Sequence, residues 1–213
     1  MLKNLLLVVF AMSLSVYAGD SFLNSCQKKW NANLANIKSF RADMVQTMSL
    51  KEYNVSNSQS MKVMYLKSNQ SYLRMETKID TMKSFVICRG DSMYVKMNDG
   101  KWIPNVQNCS ANPLIEVAES LGKAKLKFIK ESNGIRVYRD SLKMEYSIQT
   151  KTCRVLAAEN AEMKTSWVYE TINDIEIPVK NTMNVKNKTA MIEIEFKNLL
   201  INQGVTKSFF EVK

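Results

Sequence analysis

The sequence predicts a mainly β protein with one antiparallel sheet and two short helices. Most of the chain alternates apolar and polar residues with a period of two, which is typical of strands that bury one face. Turn signals such as Asn98-Asp99-Gly100 and Ser132-Asn133-Gly134 separate these segments at short intervals. Two further segments have helical spacing instead. About a dozen short strands in this order predict one antiparallel meander that curls on itself.

The first 18 residues have the features of a cleavable secretory signal peptide. Lys3 provides a positive start, residues 5–14 form an apolar run, and Val16-Tyr17-Ala18 is a small-residue cleavage pattern. The run is too short to be a stable membrane span. We therefore expect residues 1–18 to be removed on export.

A different interpretation treats Leu23-Asn24-Ser25-Cys26 as a lipoprotein processing site, with Cys26 lipidated. Asp20, Ser21 and Asn24 interrupt the apolar approach that such a site requires. The cleavable signal peptide is therefore the preferred prediction.

After the leader, the composition is that of an ordinary globular protein. The chain has 213 residues, of which 46% are hydrophobic and 23% are charged. A single sheet or barrel can reach this length, and no Pro-rich or Ser-rich linker divides the pattern. We expect one domain over residues 19–213, present as a monomer.

The first helix is predicted over residues 21–38. Asp20-Ser21 forms a helix cap, and apolar residues follow at helical spacing: Phe22, Cys26, Trp30, Leu34 and Ile37. A second, shorter helix begins at Asn112-Pro113 and can end at Gly122. Its apolar stripe consists of Leu114, Ile115, Val117, Ala118 and Leu121.

The predicted strands each present one apolar face and one polar face. In the first strand Phe40, Ala42, Met44, Gln46 and Met48 alternate with more polar neighbours. Similar alternation predicts strands at 72–77, 93–97, 142–149 and 192–196. Further strands are predicted at 59–67, 83–88, 125–130, 134–139, 153–160, 164–173 and 176–186.

The residue types exclude several kinds of chemistry. The chain has no histidine, which removes Ser-His-Asp and Cys-His mechanisms and every histidine-containing metal site. It has no Gly-rich phosphate loop and no nucleophile elbow. The close carboxylates Glu193/Glu195 and Asp91/Asp99 are typical of a solvated strand face or turn. We expect no enzymatic activity, no cofactor and no metal site.

The four cysteines can form disulfides once the protein is exported. Their spacing contains no C-x-x-C motif, and three complete pairings are possible. Cys88 with Cys109 is the preferred pair, because it would tie the ends of one hairpin-sized segment. The alternative is that the thiols stay free and act as small buried hydrophobic groups.

Methionine and lysine are the two compositional features that bear on binding. Of the 14 methionines, all but Met1 and Met12 lie after the leader; they suit a surface that accepts flexible apolar ligands, and the alternative is that they fill the core. The net charge is +10, and Lys123, Lys125, Lys127 and Lys130 are clustered. Nucleic acid is a poor partner for an exported protein, so we expect none. An anionic membrane or an acidic protein could bind this cluster, or it could simply be the solvated face of a strand.

Several segments together resemble the periplasmic lipoprotein carrier LolA and its relatives. The segment 39–47, Ser-Phe-Arg-Ala-Asp-Met-Val-Gln-Thr, is similar to the family's opening strand. Met64-Tyr65-Leu66-Lys67 resembles the end of the next strand, and residues 85–94 resemble the following hairpin. The C-terminal segment from Phe196 to Phe209-Phe210 is similar to the family's closing strand. The resemblance covers nearly the whole chain after the leader, and the order and spacing of these weak motifs carry it.

The resemblance implies an incomplete, strongly curved antiparallel β-barrel covered by short helices. It implies a periplasmic carrier whose apolar cavity takes lipoprotein acyl chains from an inner-membrane release complex to an outer-membrane acceptor. The expected cavity residues are Phe40, Met44, Met75, Met93, Met144, Tyr146, Ile194 and Phe196. The expected underside of the helical lid consists of Trp30, Leu34, Leu114 and Leu121.

The sequence departs from the carrier pattern at one position. The family usually has Arg-Pro after the lysine that matches Lys67, and that arginine is linked to one-way hand-over of cargo. Here the residues are Ser68 and Asn69, which leaves room for a different ligand or acceptor. The same fold also serves in interaction or sensor modules and in glycolipid carriers, so fold alone does not determine function. An interaction module that binds an envelope protein through its basic face is the alternative prediction.

Overall fold

The computed structural model describes residues 20–105, 121–122, 124–185 and 190–212. Within these ranges the α-helix α1 (Ser21–Asn36) precedes a 13-stranded sheet, and Leu121 and Gly122 are also helical. The strands are β1 (Ser39–Leu50), β2 (Val55–Lys67), β3 (Ser71–Ile79), β4 (Met82–Arg89), β5 (Ser92–Met97), β6 (Ile103–Asn105), β7 (Lys127–Ser132), β8 (Ile135–Arg139), β9 (Glu145–Gln149), β10 (Val155–Glu159), β11 (Met163–Ile172), β12 (Ile175–Val185) and β13 (Ala190–Ile201). Short 3-10 helices occupy Lys51–Tyr53 and Lys207–Phe210.

The sheet is a single antiparallel meander whose two halves meet in the middle. The strand order is β6-β5-β4-β3-β2-β1-β13-β12-β11-β10-β9-β8-β7. The first and last strands, β1 and β13, pair at the centre, whereas β6 and β7 are the two outer strands of the described sheet. Because these outer strands do not pair with each other, the sheet stays open. The predicted fold class, a mainly β protein with one curved antiparallel sheet, is confirmed.

Helix α1 begins where the sequence predicts. The carboxylate of Asp20 accepts hydrogen bonds from the backbone N–H groups of Phe22 (3.0 Å) and Leu23 (3.1 Å), which is the usual role of an N-cap side chain. The helix ends two residues earlier than predicted. Ile37, which lies in the last predicted turn, is extended and almost completely buried instead.

Most predicted strands are present, with boundaries that differ by a few residues. The main correction is the segment predicted as one strand over 142–149. The carboxylate of Asp140 accepts hydrogen bonds from the backbone N–H groups of Leu142 and Met144, both at 2.9 Å, and so forms a turn. Leu142 is therefore 83% exposed, and β9 begins only at Glu145. The short strand β6 was not predicted.

The buried side chains form three clusters. The first cluster lies on the concave face of the central strands and includes Phe40, Val63 and Ile177. The second lies between α1 and the strands β8–β10. The third lies on the convex face, where Phe210 of the C-terminal 3-10 helix packs with Tyr72 and Ile87. The closing Phe209-Phe210 pair thus anchors the end of the chain to the back of the sheet.

One disulfide joins α1 to the sheet. Cys26 and Cys153 are bonded, with their Cα atoms 5.2 Å apart. The sulfur of Cys26 is therefore used within the fold, which removes the interpretation of Cys26 as a lipidated residue. Cys88 is also disulfide-bonded. Its predicted partner, Cys109, lies outside the described residues, so that pairing stays a prediction.

No helix in the described segments is long and apolar enough to cross a bilayer.

Candidate functional site

The concave face of the central strands carries a continuous set of apolar side chains. Because side chains alternate between the two faces of a strand, directly paired residues lie on the same face. Met44 of β1 pairs with Met61 of β2 and with Phe196 of β13. Met75 of β3 pairs with Val63 on one side and with Val86 on the other. The apolar face therefore extends across at least five neighbouring strands.

Burial along this face changes from one end of the strands to the other. On β1, the exposed fraction rises from 0% at Phe40 to 5% at Met44 and 42% at Met48. On β5, Met93 is partly buried and Met97 is exposed. The end of the sheet near α1 is thus closed by packing, while the opposite end is open.

Between these two ends lies a half-buried apolar surface, here called the concave groove. Its side chains pack against the first cluster on one side and remain partly open to solvent on the other. They are Met61, Met75, Val86, Met93 and Ile194. Three of these five residues are methionine, whose unbranched and polarizable side chain adapts to ligands of varied shape. This groove is the candidate binding site.

The structure brings six of the eight predicted cavity residues to the groove or the cluster beneath it. Met75, Met93 and Ile194 are groove residues, whereas Phe40, Met44 and Phe196 are buried in the first cluster. The other two lie elsewhere. The ring of Tyr146 packs against the second cluster, and Met144 lies in the turn formed around Asp140.

Two groove residues, Met61 and Val86, were not among the predicted cavity residues. Both lie in predicted strands, at even spacing from apolar residues on the same face, such as Val63 and Cys88. The same alternation that identified Met44 could therefore have found them.

The predicted lid residues do not form one surface. Trp30 and Leu121 are buried in the second cluster, whereas Leu34 packs against the first. Leu114 lies outside the described residues. The described part of the lid therefore covers the closed end of the sheet and the strands around β8–β10.

Helix α1 is held against the sheet by a disulfide and by polar contacts. Besides the disulfide at Cys26, the indole N–H of Trp30 donates to the backbone oxygen of Cys153 at 2.8 Å. The ammonium group of Lys29 pairs with the carboxylate of Glu176 at 2.7 Å. Moving α1 away from the sheet would require these polar contacts to break, and the disulfide would still hold the helix at Cys26.

The first turn of α1 is held by a charged network. Asp20 accepts a hydrogen bond from the Tyr138 hydroxyl at 2.5 Å and lies 3.5 Å from the guanidinium of Arg136. Partial burial acts to raise the pKa of Asp20, but the hydrogen bonds and the charge of Arg136 outweigh it, so the pKa is lowered below 3.8. Burial, together with the hydrogen bond to Asp20, raises the pKa of Tyr138 to about 12. Tyr138 therefore remains a neutral donor at physiological pH.

Protonation of Asp20 should weaken the fold in acid. A carboxyl group whose pKa is lowered by folding stabilises the native state above its unfolded pKa, and this contribution is lost as the pH falls through the folded value. Asp20→Asn keeps a capping oxygen but carries no charge. We expect the stability advantage of the wild type over Asp20→Asn to be full at neutral pH and to shrink below pH 3.8. Urea unfolding at several pH values measures this, and a difference that stays constant from neutral pH to strong acid would contradict it.

Two hollows on the described surface are unsuited to an apolar ligand. One, of about 270 Å³, lies on the convex face and is lined by charged groups that include Arg41, Asp43 and Lys62. The other lies beside the strand ends around Arg139 and Glu145. Both are open to solvent and have charged side chains in their lining, so the concave groove is the better candidate for an apolar ligand.

The predicted basic cluster lies along an outer strand. Lys127 and Lys130 belong to β7, Lys125 precedes it, and all three are exposed. Lysines on an outer strand commonly prevent further strands from adding to the sheet. Lys123 lies outside the described residues. The position of these lysines thus favours the interpretation of a solvated strand.

Solved structures similar to this chain share its arrangement over nearly their whole length. A LolA superfamily protein from Nitrosomonas europaea has a TM-score of 0.61 and 11% identity, covering 88% of this chain and 96% of that one. This chain has a LolA-like fold. A DUF1329 family protein from Desulfovibrio piger has a TM-score of 0.64 and 11% identity, over 89% of this chain and 95% of that one. A domain from Vibrio parahaemolyticus named for outer-membrane lipoprotein sorting has a TM-score of 0.57 and 10% identity, over 87% and 95%.

The similarity is one of fold and not of close sequence. No family model matches the chain, and no curated protein matches it. Because the sequence identity is only 10–11%, the similar structures support the predicted resemblance at the level of the fold. What the LolA-like groove of this chain binds has to be argued from its own residues.

The groove has no feature of a metal centre. Across the described ranges, no group of three or more Cys, Asp or Glu side chains could hold a metal ion. The groove instead consists of hydrocarbon and thioether side chains, which can exclude water from an apolar ligand but supply no acid, base or nucleophile.

Proposed function

We propose that this protein is a periplasmic carrier that binds the acyl chains of lipoproteins in the concave groove and takes them from the inner membrane toward the outer membrane. The observation that supports it most is the change in burial along the concave face, from closed at Phe40 to open at Met48. A straight hydrocarbon chain entering from the open end would lie along the strands and against the methionines.

The energetics favour such a ligand. An acyl chain in water costs about 0.8 kcal/mol per CH₂ group, so removing even part of its length from water gives substantial affinity. Groove side chains such as Met75 and Ile194 are partly exposed without a ligand. Covering them adds a further favourable contribution from apolar burial.

The proposed ligand contacts are the groove residues together with the buried side chains at its base, Phe40, Met44 and Phe196. Met144 and Tyr146 are not included. Tyr146 donates its hydroxyl hydrogen to Asp140 at 3.0 Å, which ties it to the turn beyond the groove.

Direction of transfer would depend on the partners. Ser68 and Asn69 lie in the turn between β2 and β3, where the backbone N–H of Ser68 bonds to the oxygen of Gln70 at 3.1 Å. This turn has no counterpart of the carrier family's arginine. We therefore propose that hand-over is set by the higher affinity of an acceptor and not by a residue of this turn. A periplasmic location, removal of residues 1–18 and a monomeric state belong to the same proposal.

Uptake of a lipopeptide from membranes tests the carrier function. The exported protein is incubated with vesicles that contain a fluorescent triacylated peptide, and soluble complexes are separated from vesicles by size exclusion. We expect saturable transfer of the peptide into a complex with one copy of the protein. The same peptide without acyl chains is the control and should not bind. If the acylated peptide never leaves the vesicles at any protein concentration, the carrier function is refuted.

A further inference from the structure

Exposed apolar side chains are concentrated at one edge of the sheet. In an antiparallel meander, alternate turns lie at the same edge. The turns β1–β2, β3–β4, β5–β6 and β8–β9 all lie at the open end of the groove. Each carries exposed apolar residues, namely Tyr53, Val55, Ile79, Met82, Ile103 and Leu142. We call this edge the apolar rim.

The β3–β4 turn, residues 78–83, is the most instructive part of the apolar rim. Ile79 and Met82 pair across the turn and are 54% and 52% exposed. Directly behind them, the exposed Lys78 and Lys83 pair with each other. Like charges placed opposite each other destabilise a hairpin, so folding alone does not account for this pair.

This turn continues the concave groove to the edge of the sheet. Along β3 and β4, the paired residues on the concave face are Met75 with Val86, then Thr77 with Ser84, then Ile79 with Met82. Lys78 and Lys83 alternate with these residues and therefore lie on the convex side. An apolar ligand leaving the groove along β3 and β4 would pass over Ile79 and Met82.

We propose that the apolar rim, led by the β3–β4 turn, docks the open end of the groove onto an anionic lipid bilayer. The exposed apolar side chains of the rim would enter the headgroup layer, while Lys78 and Lys83 contact lipid phosphates. The net charge of +10 favours approach to an anionic surface. This inference rests on the proposed lipid-binding function, because it gives the route by which an acyl chain enters the groove.

The distribution of the apolar residues favours a bilayer over a protein partner. A typical protein–protein interface has one contiguous apolar centre surrounded by polar residues. Here the apolar side chains lie on separate turns, each followed by polar residues such as Asp80 or Lys143. Apolar side chains on separate turns can each insert into a bilayer, because a bilayer surface does not need a complementary shape.

Vesicle flotation with two pairs of variants tests the docking. The exported protein is mixed with vesicles of phosphatidylcholine and phosphatidylglycerol at 0.15 M salt. Each lysine near an anionic surface is worth about fivefold in partitioning. We expect Lys78→Glu/Lys83→Glu to lower vesicle binding by about 25-fold or more. Ile79→Ser/Met82→Ser should lower it by about tenfold or more.

The controls are matched in charge and exposure. Lys67→Glu/Lys151→Glu makes the same charge change at two exposed positions on the opposite, closed edge of the sheet. Val168→Ser replaces an apolar residue of similar exposure, 57%, on β11. Both controls should bind vesicles within about twofold of the wild type. Circular dichroism establishes that every variant is folded.

The outcomes separate docking from ligand binding. Wild-type protein that does not float with anionic vesicles, rim variants that float normally, or a Lys67→Glu/Lys151→Glu variant that loses binding equally would each overturn the docking. Binding of a fluorescent fatty acid without vesicles reports on the groove alone, and the rim variants should retain it. If rim-dependent flotation occurs but no fatty acid binds, docking stands and the proposed carrier function fails.

Discussion

Replacing Met61 with glutamate should abolish binding of acyl ligands while leaving the protein folded. Met61 lies at the centre of the concave face, where it pairs with Met44 and Thr77. A bound acyl chain would cover it, and the carboxylate would then lose its water without gaining a partner. We expect the affinity for a fluorescent fatty acid to fall by about 100-fold or more. Because Met61 is only partly buried in the ligand-free protein, the thermal midpoint should change little.

The matched control lies one residue away on the same strand. Ser60 is exposed and lies on the convex face, since neighbouring residues of a strand point to opposite faces. Ser60→Glu adds the same charge and should bind the fatty acid as the wild type does. Equal binding by the Met61 and Ser60 variants would show that the ligand does not occupy the concave groove.

Loss of the disulfide between Cys26 and Cys153 should cause the largest change in stability. The bond joins residues separated by 127 positions and ties α1 to the turn before β10. Closing a loop of this size stabilises the folded state by roughly 4–5 kcal/mol in the chain-entropy model. For a domain of this size we expect the thermal midpoint of Cys26→Ala/Cys153→Ala to fall by about 10 °C or more. Thermal unfolding followed by circular dichroism measures the shift.

The single variants make this measurement specific. Either replacement alone removes the bond, so Cys26→Ala and Cys153→Ala should each lower the midpoint nearly as far as the double variant does. A fall of less than about 2 °C in the double variant would mean that the hydrogen bond from Trp30 and the ion pair of Lys29 already hold the helix in place.

The sheet could be predicted because its signal is local and repeated. The alternation of Phe40, Ala42, Met44 and Gln46 assigns these side chains to one face, and the structure places the first three in the first cluster. Turn residues mark the ends of strands for a similar reason. Asn98 and Asn133 adopt left-handed backbone conformations, which asparagine accepts more readily than most residues.

Other features depend on contacts that a local pattern does not contain. Leu142 and Met144 continue the period of two, but the Asp140 side chain captures their backbone N–H groups and bends the chain. The pairing of Cys26 with Cys153 follows from the packing of α1 against β10, and spacing alone could not select it. The contacts of Trp30 and Lys29 that hold α1 to the sheet are non-local for the same reason. The pairing register of β1 with β2 and β13 also depends on residues far apart in the sequence. This register places the groove side chains next to each other.

In the proposed function, the concave groove and the apolar rim together would form one path for a lipid. The rim places apolar tips at the open end, and the concave face continues from those tips to the buried base near Phe40. The fixed helix α1 closes the other end. Variants at Met61 and at Ile79/Met82 should therefore have separable effects, the first on ligand affinity and the second on exchange with membranes.

Native mass spectrometry of the protein isolated from its own envelope tests the central claim most directly. If the concave groove shelters hydrocarbon chains, the protein should carry an additional mass equal to that of a lipid or an acylated peptide. The Met61→Glu variant isolated in parallel should lack this mass, and the Ser60→Glu variant should retain it. A wild-type protein that shows only its polypeptide mass, and that also takes up no fatty acid in solution, would contradict the claim.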